Sequence, residues 1–231
     1  MEEPKFPYCE GVTLLYGAPG SGKTTLLLRV IREHLAVEPV VVFDPTGDIA
    51  RGLKDITPLT FKDTTDFKKH VEWFAFKQFY PGTLVIFTGE TDAQKLAFRH
   101  IITAKKQYFK CIVCDEAELL FFGEPITTYL SALYTSRNKG VAIYLATKRP
   151  THIHTTVRSC AIRSCVFKLI SDRDVLATDT LGPRSLYAEV QDLDTGEYLY
   201  RDTSMDQHTV TGYDNRVDEL PWKIERDADH A

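Results

Sequence analysis

Short runs of apolar, often β-branched residues alternate along this chain with longer stretches that carry apolar residues at helical spacing. The runs that predict buried strands are Val12–Tyr16, Pro39–Phe43, Leu84–Phe87, Cys111–Cys114 and Val141–Ala146. The stretches that predict helices are Thr24–Leu35, Asp92–Gln107 and Pro125–Tyr134. Buried strands that alternate with helices are typical of a parallel sheet covered on both faces. The pattern therefore predicts an α/β fold with a mostly parallel central sheet.

The C-terminal part of the chain departs from this alternation. Tyr187–Arg201 holds the sequence Leu-Asp-Thr-Gly between two strand-like flanks, which predicts a β-hairpin added to the edge of the sheet. The residues after Asp202 are polar and acidic and indicate an arm. We expect one domain over residues 1–201 and an arm over residues 202–231, an organisation that fits a chain of 231 residues.

Composition excludes several classes of protein. Apolar residues make up 43% and charged residues 26% of the chain, as in ordinary globular proteins. No apolar run reaches the roughly 20 residues of a membrane-spanning helix, and the N-terminus lacks the apolar stretch of a secretory signal. The odd number of cysteines, five, indicates free thiols in a reducing compartment. Because strand positions three apart face opposite sides, Cys111 and Cys114 are not expected to share a metal ion.

Charge is distributed unevenly although the net charge is only −4. The segment 135–170 contains seven basic residues and no acidic one, whereas the segment 189–231 contains twelve acidic and four basic residues. A basic stretch of this kind either contacts a polyanion or is scattered over the surface of the fold, and the sequence leaves both interpretations open.

A phosphate-binding motif follows the first predicted strand. Gly17–Thr24 fits the pattern Gly-x4-Gly-Lys-[Ser/Thr] of the P-loop. Glycines let backbone N–H groups point at phosphate oxygens, and the helix that follows presents its positive N-terminal end to the same anion. We expect Lys23 to reach the β- and γ-phosphates of ATP and Thr24 to ligate Mg²⁺. The predicted nucleotide-binding residues are Gly17, Ala18, Pro19, Gly20, Ser21, Gly22, Lys23, Thr24 and Thr25.

A pair of carboxylates ends another predicted strand. Asp115 follows the run Cys111–Cys114, where it can hold the Mg²⁺ shell, and Glu116 can deprotonate a water that attacks the γ-phosphate. This pair favours a hydrolase over a kinase, because a kinase excludes water from its site. Asp44 ends the second predicted strand and either touches the nucleotide site or caps a turn.

Taken together, these motifs resemble the FtsK–HerA superfamily of DNA-pumping ATPases, and within it the genome-packaging ATPases of tailless viruses with an internal membrane. The resemblance extends from about Val12 to Leu181 and is most specific in the block from Ser136 to Pro150, where an arginine and a glycine precede an apolar strand that ends in Ala-Thr-Lys-Arg-Pro. It implies a RecA-like (ASCE) P-loop fold and a homo-oligomeric ring, hexameric or pentameric. It also implies the catalytic residues Lys23, Glu116, Arg137 and Lys148.

Two of these residues carry particular expectations. The resemblance makes Arg137 an arginine finger that reaches the γ-phosphate bound by a neighbouring subunit, a role suited to a permanently charged guanidinium. Lys148 stands where the family usually has glutamine. A lysine cannot accept a hydrogen bond, so it acts as a donor to phosphate or as a second cation.

The resemblance further implies DNA, double-stranded and bound without sequence specificity, in the middle of the ring. The expected DNA contacts are Lys139, Arg149, Arg158 and Arg163, with Arg149 either in an ion pair or facing DNA. A capsid vertex or portal protein is the expected partner, and the virion or the host cytoplasm is the expected location. Two alternatives remain open, namely a pump of single-stranded DNA in phage assembly or conjugation, and a P-loop kinase of a small metabolite.

Overall fold

A computed structural model of the chain describes residues 10–63, 79–104, 108–123, 126–176, 190–202 and 207–211. Its centre is a nine-stranded sheet with the order β3-β4-β2-β5-β6-β1-β7-β8-β9. The strands are β1 (Gly11–Tyr16), β2 (Val40–Asp44), β3 (Leu59–Phe61), β4 (Leu84–Thr88), β5 (Cys111–Cys114), β6 (Ala142–Thr147), β7 (Ala161–Phe167), β8 (Tyr198–Asp202) and β9 (Gln207–Thr211). The strands β1 to β7 pair in parallel, and β8 and β9 are antiparallel additions.

Helices cover both faces of the sheet. Their bounds are α1 (Lys23–Leu35), α2 (Asp48–Gly52), α3 (Thr91–Thr103), α4 (Ala117–Phe121), α5 (Thr127–Thr135), α6 (Thr155–Ser159) and α7 (Asp172–Leu176). The buried side chains form two apolar clusters. Leu26 of α1 and Ile49 of α2 belong to one, and Phe98 of α3 and Tyr129 of α5 belong to the other. The predicted α/β fold with a mostly parallel sheet is confirmed.

The strands are buried on both sides because their sequences are almost wholly apolar. Every residue of β1, β2, β5 and β6 is buried. Cys111 packs in the same cluster as α1, whereas Cys114 packs in the cluster of α3 and α5. The two thiols thus face opposite sides of the sheet, as predicted. All four cysteines in the described ranges are free.

The C-terminal hairpin is present but lies further along the chain than predicted. Tyr198–Asp202 and Gln207–Thr211 are its two strands, and residues 203–206 between them lie outside the described residues. The predicted turn at Leu193–Gly196 instead precedes β8. Strand β9 also brings residues 207–211, assigned above to the arm, into the sheet. The rest of the arm, 212–231, lies outside the described residues.

The topology gathers the predicted motifs at one edge of the sheet. Neighbouring parallel strands end side by side, with Tyr16 of β1 opposite Thr147 of β6 and Phe43 of β2 opposite Cys114 of β5. The residues that follow these strands therefore meet at the carboxyl edge. Within the described ranges, no helix combines the length and apolar character needed to cross a bilayer.

Candidate active site

The P-loop joins β1 to α1 at the carboxyl edge of the sheet. Gly20 and Gly22 have φ angles of +75° and +109°, a left-handed backbone that favours glycine. Helix α1 begins directly after Gly22, so its first N–H groups border the loop. The buried Lys23 Nζ donates hydrogen bonds to the carbonyl oxygens of Gly17 at 2.7 Å and Ala18 at 2.9 Å. Burial lowers the pKa of this ammonium group, so an anion in the loop is its natural partner.

A turn from the C-terminal part of the chain packs directly on the P-loop. The backbone N–H of Gly196 donates to the carbonyl oxygen of Ser21 at 2.9 Å. A Cβ atom on Gly22 would lie 2.9 Å from the Cα atom of Gly196, so the lack of a side chain on Gly22 allows this close approach. Sequence reasoning missed this contact. The Asp-Thr-Gly sequence signalled a turn, but nothing in the sequence indicated what the turn packs against.

Asp115 lies in a buried, acidic environment beside the P-loop. Its side chain is close to Thr24, whose hydroxyl donates to Oδ2 at 3.4 Å, and its residue is 5% exposed. Burial, together with the nearby charges of Asp44 and Glu116, raises the pKa of Asp115 to about 6. A buried carboxylate next to a threonine hydroxyl is a donor set that suits a hard divalent cation. The residues predicted to hold Mg²⁺, Thr24 and Asp115, are therefore brought together and fit that ion.

Asp44 has the capping role, one of the two left open above. Its Oδ2 accepts a hydrogen bond from the backbone N–H of Ala50 at 2.8 Å, so it caps the short helix α2. It is also fully buried and close enough to Asp115 to raise the pKa of that carboxyl group. Burial raises the pKa of Asp44 itself, while hydrogen bonds from the backbone of α2 oppose this increase.

Glu116 forms an ion pair with Lys148. The Nζ of Lys148 lies 2.5 Å from Oε1 of Glu116, and the exposed fractions of the two side chains are 45% and 17%. Glu116 has φ of +48°, which makes it the one non-glycine residue with a left-handed backbone in the described part of the chain. Its N–H donates to Oδ1 of Asp115 at 3.0 Å. The predicted base and the lysine that replaces the usual glutamine thus face each other.

Arg137 lies at the opposite edge of the sheet. It precedes β6, is exposed, and has its Cβ atom 3.6 Å from the position of a Cβ on Gly11, at the start of β1. The P-loop follows the other end of β1. The six residues of β6 span roughly 20 Å, so Arg137 does not meet the P-loop of its own subunit.

Two of the four predicted DNA contacts are engaged in ion pairs within the chain. Arg149 Nε lies 2.9 Å from Oδ2 of Asp174, so the ion pair, one of the two alternatives given above, is formed. Arg163 Nε lies 2.7 Å from Oδ2 of Asp202, and its side chain is only 12% exposed. Because Arg163 ties β7 to β8, we no longer expect it to bind DNA.

The other two predicted contacts are placed differently. Arg158 is half-buried and donates to the hydroxyl of Thr155 at 3.2 Å. Lys139 is exposed beside Arg137 at the amino edge of the sheet, and its carbonyl accepts a hydrogen bond from Lys110. Lys139 thus remains available to a polyanion near the edge that carries Arg137.

Solved structures share this fold at low sequence identity. The genome packaging NTPase B204 from Sulfolobus turreted icosahedral virus 2, in complex with ATP-gammaS, is 16% identical, with a TM-score of 0.62 over 89% of this chain and 98% of that chain. VirB4 of Thermoanaerobacter pseudethanolicus is 13% identical, with a TM-score of 0.58 over 94% of this chain and 89% of that chain. The pCW3 conjugation coupling protein TcpA is 16% identical, with a TM-score of 0.53 over 88% of this chain and 60% of that chain. The predicted RecA-like relationship to packaging ATPases is thereby confirmed at the level of the fold.

Sequence comparison gives a family but no individual relative. No curated protein matches the chain by sequence. The family described as "AAA domain" matches residues 9–149. This range exceeds half of the chain and includes the P-loop, Asp115 and Glu116. The chain therefore belongs to the AAA domain family of P-loop NTPases.

Proposed function

We propose that the protein is an ATP-hydrolysing motor that moves DNA, and that copies of the chain form a ring in which each subunit completes the site of its neighbour. The observation that carries this proposal is the separation of the catalytic groups. Lys23, Thr24, Asp115 and Glu116 lie at the carboxyl edge of the sheet, whereas Arg137 is exposed at the amino edge. An arginine that serves catalysis from that edge has to serve another subunit.

Each residue has a distinct task in this mechanism. The P-loop N–H groups and Lys23 bind the phosphates and orient the terminal one for attack. Thr24 and Asp115 would hold Mg²⁺, which would neutralise negative charge on the phosphates. The Glu116 carboxylate accepts a proton from water as the water oxygen attacks phosphorus and the bond to the ADP oxygen breaks. Arg137 of a neighbour stabilises the charge that develops on the equatorial oxygens.

Genome packaging is the form of DNA movement that we favour. B204, whose fold this chain shares over almost its whole length, is described as a genome packaging NTPase and a DNA-packaging ATPase. The ring would carry non-specific, double-stranded DNA and dock on a capsid vertex or portal protein. The likeness to a protein described as a conjugation coupling protein supports the second candidate, a pump of single-stranded DNA in phage assembly or conjugation.

Steady-state ATP hydrolysis measured with single-stranded DNA, with double-stranded DNA and without DNA separates these candidates. The Lys23→Ala variant, which lacks the P-loop lysine, measures the background rate of hydrolysis. We expect stimulation by double-stranded DNA. A preference for single strands would favour the second candidate, and turnover indifferent to both would contradict a DNA motor.

The contribution of Arg137 in trans is tested by mixing two inactive variants. Arg137→Ala and Glu116→Gln should each abolish turnover. Mixed rings should regain part of the activity, since some interfaces join an intact Glu116 to an intact Arg137. Lys139→Ala, which removes a neighbouring exposed cation, is the matched control and should retain the hydrolysis measured without DNA. Absence of rescue at every mixing ratio would contradict the role in trans.

A further inference from the structure

We propose that the ion pair between Lys148 and Glu116 is a latch on the site: it engages the carboxylate of the base, and the γ-phosphate of ATP releases that carboxylate by taking Lys148 as its own partner. This inference rests on the proposed function, because it concerns the same base. It assigns to Lys148 a regulatory role that a glutamine at this position could not fill, since an amide carries no charge.

The pairing of strands β5 and β6 brings the side chains of Glu116 and Lys148 together. Strands β5 and β6 are hydrogen-bonded neighbours, with Cys114 opposite Leu145, so the residues just beyond their ends lie side by side. Glu116 follows β5 in a left-handed backbone conformation, which L-residues adopt at a cost of roughly 1 kcal/mol. The hydrogen bond from its N–H to Asp115 holds this conformation. The backbone therefore directs Glu116 towards the end of β6.

The ion pair engages the carboxylate of Glu116, but Lys148 can exchange this partner for another. The ammonium of Lys148 donates a charge-assisted hydrogen bond to the carboxylate of Glu116, and this bond raises the pKa of Lys148. Because Lys148 is 45% exposed, its flexible side chain is free to change partners.

The P-loop begins beside Lys148, because the N–H of Gly17 donates to the carbonyl oxygen of Thr147 at 3.3 Å and Lys148 is the next residue. The charge of Lys148 lowers the pKa of Lys23, and the charge of Asp115 raises the pKa of Lys148. A terminal phosphate beside Lys23 carries more negative charge than a carboxylate and offers three acceptor oxygens, so it competes effectively for a second lysine. ADP lacks that phosphate and would leave the latch closed. The latch thus ties activation of water to the presence of the γ-phosphate.

The test is a double-mutant cycle on nucleotide affinity, which needs no turnover. ATPγS and ADP are titrated calorimetrically, with Mg²⁺, into wild type, Glu116→Gln, Lys148→Met and the double variant. Glu116→Gln should bind ATPγS about 2- to 5-fold more tightly, as expected for releasing a partly exposed ion pair, and should bind ADP as wild type does. In the Lys148→Met background, Glu116→Gln should change neither affinity, because no lysine remains to be released.

Glu118→Gln is the matched control. Glu118 lies close enough to raise the pKa of both Lys23 and Lys148, but its side chain is not the ion-pair partner of Lys148. Removing its charge should shift the ATPγS and ADP affinities together and leave their ratio unchanged. Circular dichroism and urea unfolding of each variant verify that it is folded.

The outcomes separate the latch from the proposed function. If Glu116→Gln tightens ATPγS binding equally in both backgrounds, the effect is simple charge repulsion and the latch is wrong. An unchanged ATPγS affinity in Glu116→Gln, in a wild-type protein that hydrolyses ATP, likewise overturns the latch alone. A wild-type protein that binds neither nucleotide overturns both proposals.

Discussion

Asp115→Asn should make the protein more stable while it removes the carboxylate that holds Mg²⁺. In the folded chain the pKa of Asp115 rises from 3.8 to about 6, chiefly because the group is buried. Above pH 6 Asp115 is therefore ionised in the folded state, where its charge is less favourable than in the solvated unfolded chain. The increase in pKa corresponds to roughly 3 kcal/mol of lost stability at pH 7. Asparagine avoids this cost and still accepts the hydrogen bond from the Glu116 N–H.

The sign of the pH dependence follows from the direction of the pKa change. As pH falls below 6, the folded wild type takes up a proton more readily than the unfolded chain and gains stability. The advantage of Asp115→Asn should thus shrink to about 1.5 kcal/mol at pH 5. Urea unfolding of nucleotide-free protein at both pH values measures it. Asp92→Asn, at a side chain that is 95% exposed, is the control and should change stability by less than about 0.5 kcal/mol.

Two results would refute this reasoning. One is an Asp115→Asn protein no more stable than wild type at pH 7, and the other is an advantage that does not decrease at pH 5. The same variant should no longer gain thermal stability from Mg²⁺ with ATP, whereas wild type should, because a ligand stabilises only the state that binds it.

Four further substitutions have defined outcomes. Gly22→Ala should weaken ATP binding at least about 10-fold, because its Cβ would lie 2.9 Å from the Gly196 Cα. Gly123→Ala, at φ +76° with open space around it, should cost about 1 kcal/mol of stability and leave ATP affinity unchanged. Equal ATP affinities in the two variants would contradict the packing argument. Arg163→Ala should lower the free energy of unfolding by about 1–3 kcal/mol, because the buried Asp202 loses its ion pair with Arg163. The variant should keep its DNA affinity in a filter-binding assay. Reduced DNA affinity in a folded variant would show that Arg163 contacts DNA. Lys23→Ala should abolish hydrolysis in a phosphate-release assay, and residual turnover would show that another cation serves the β- and γ-phosphates.

The fold and the site residues that one subunit brings together at the carboxyl edge could be predicted from the sequence, because each depends on a local sequence pattern. The apolar runs fix which segments become buried strands, and a P-loop motif after a strand requires a particular backbone. The position of Asp115 follows from the same logic, since a residue directly after a buried strand has to emerge at the carboxyl edge. Each of these predictions depends on a few neighbouring residues.

Contacts between distant segments could not be predicted in this way. The apposition of Gly196 and Gly22 depends on how an edge hairpin packs, and the ion pair of Arg163 with Asp202 depends on the register of β7 and β8. A count of basic residues in the segment 135–170 cannot distinguish an arginine within the sheet from a lysine on the surface. The predicted hairpin lies too early in the chain because Leu193–Gly196 does form a turn, but this turn leads into β8 and does not join the two hairpin strands.

Translocation itself is tested most directly by displacement of a triplex-forming strand from double-stranded DNA. A motor that moves along the duplex strips the third strand in a reaction that requires ATP hydrolysis. We predict ATP-dependent displacement by the wild-type protein and none by Lys23→Ala or Glu116→Gln. DNA-stimulated hydrolysis without displacement, at any ATP concentration, would contradict the central claim that this chain moves DNA.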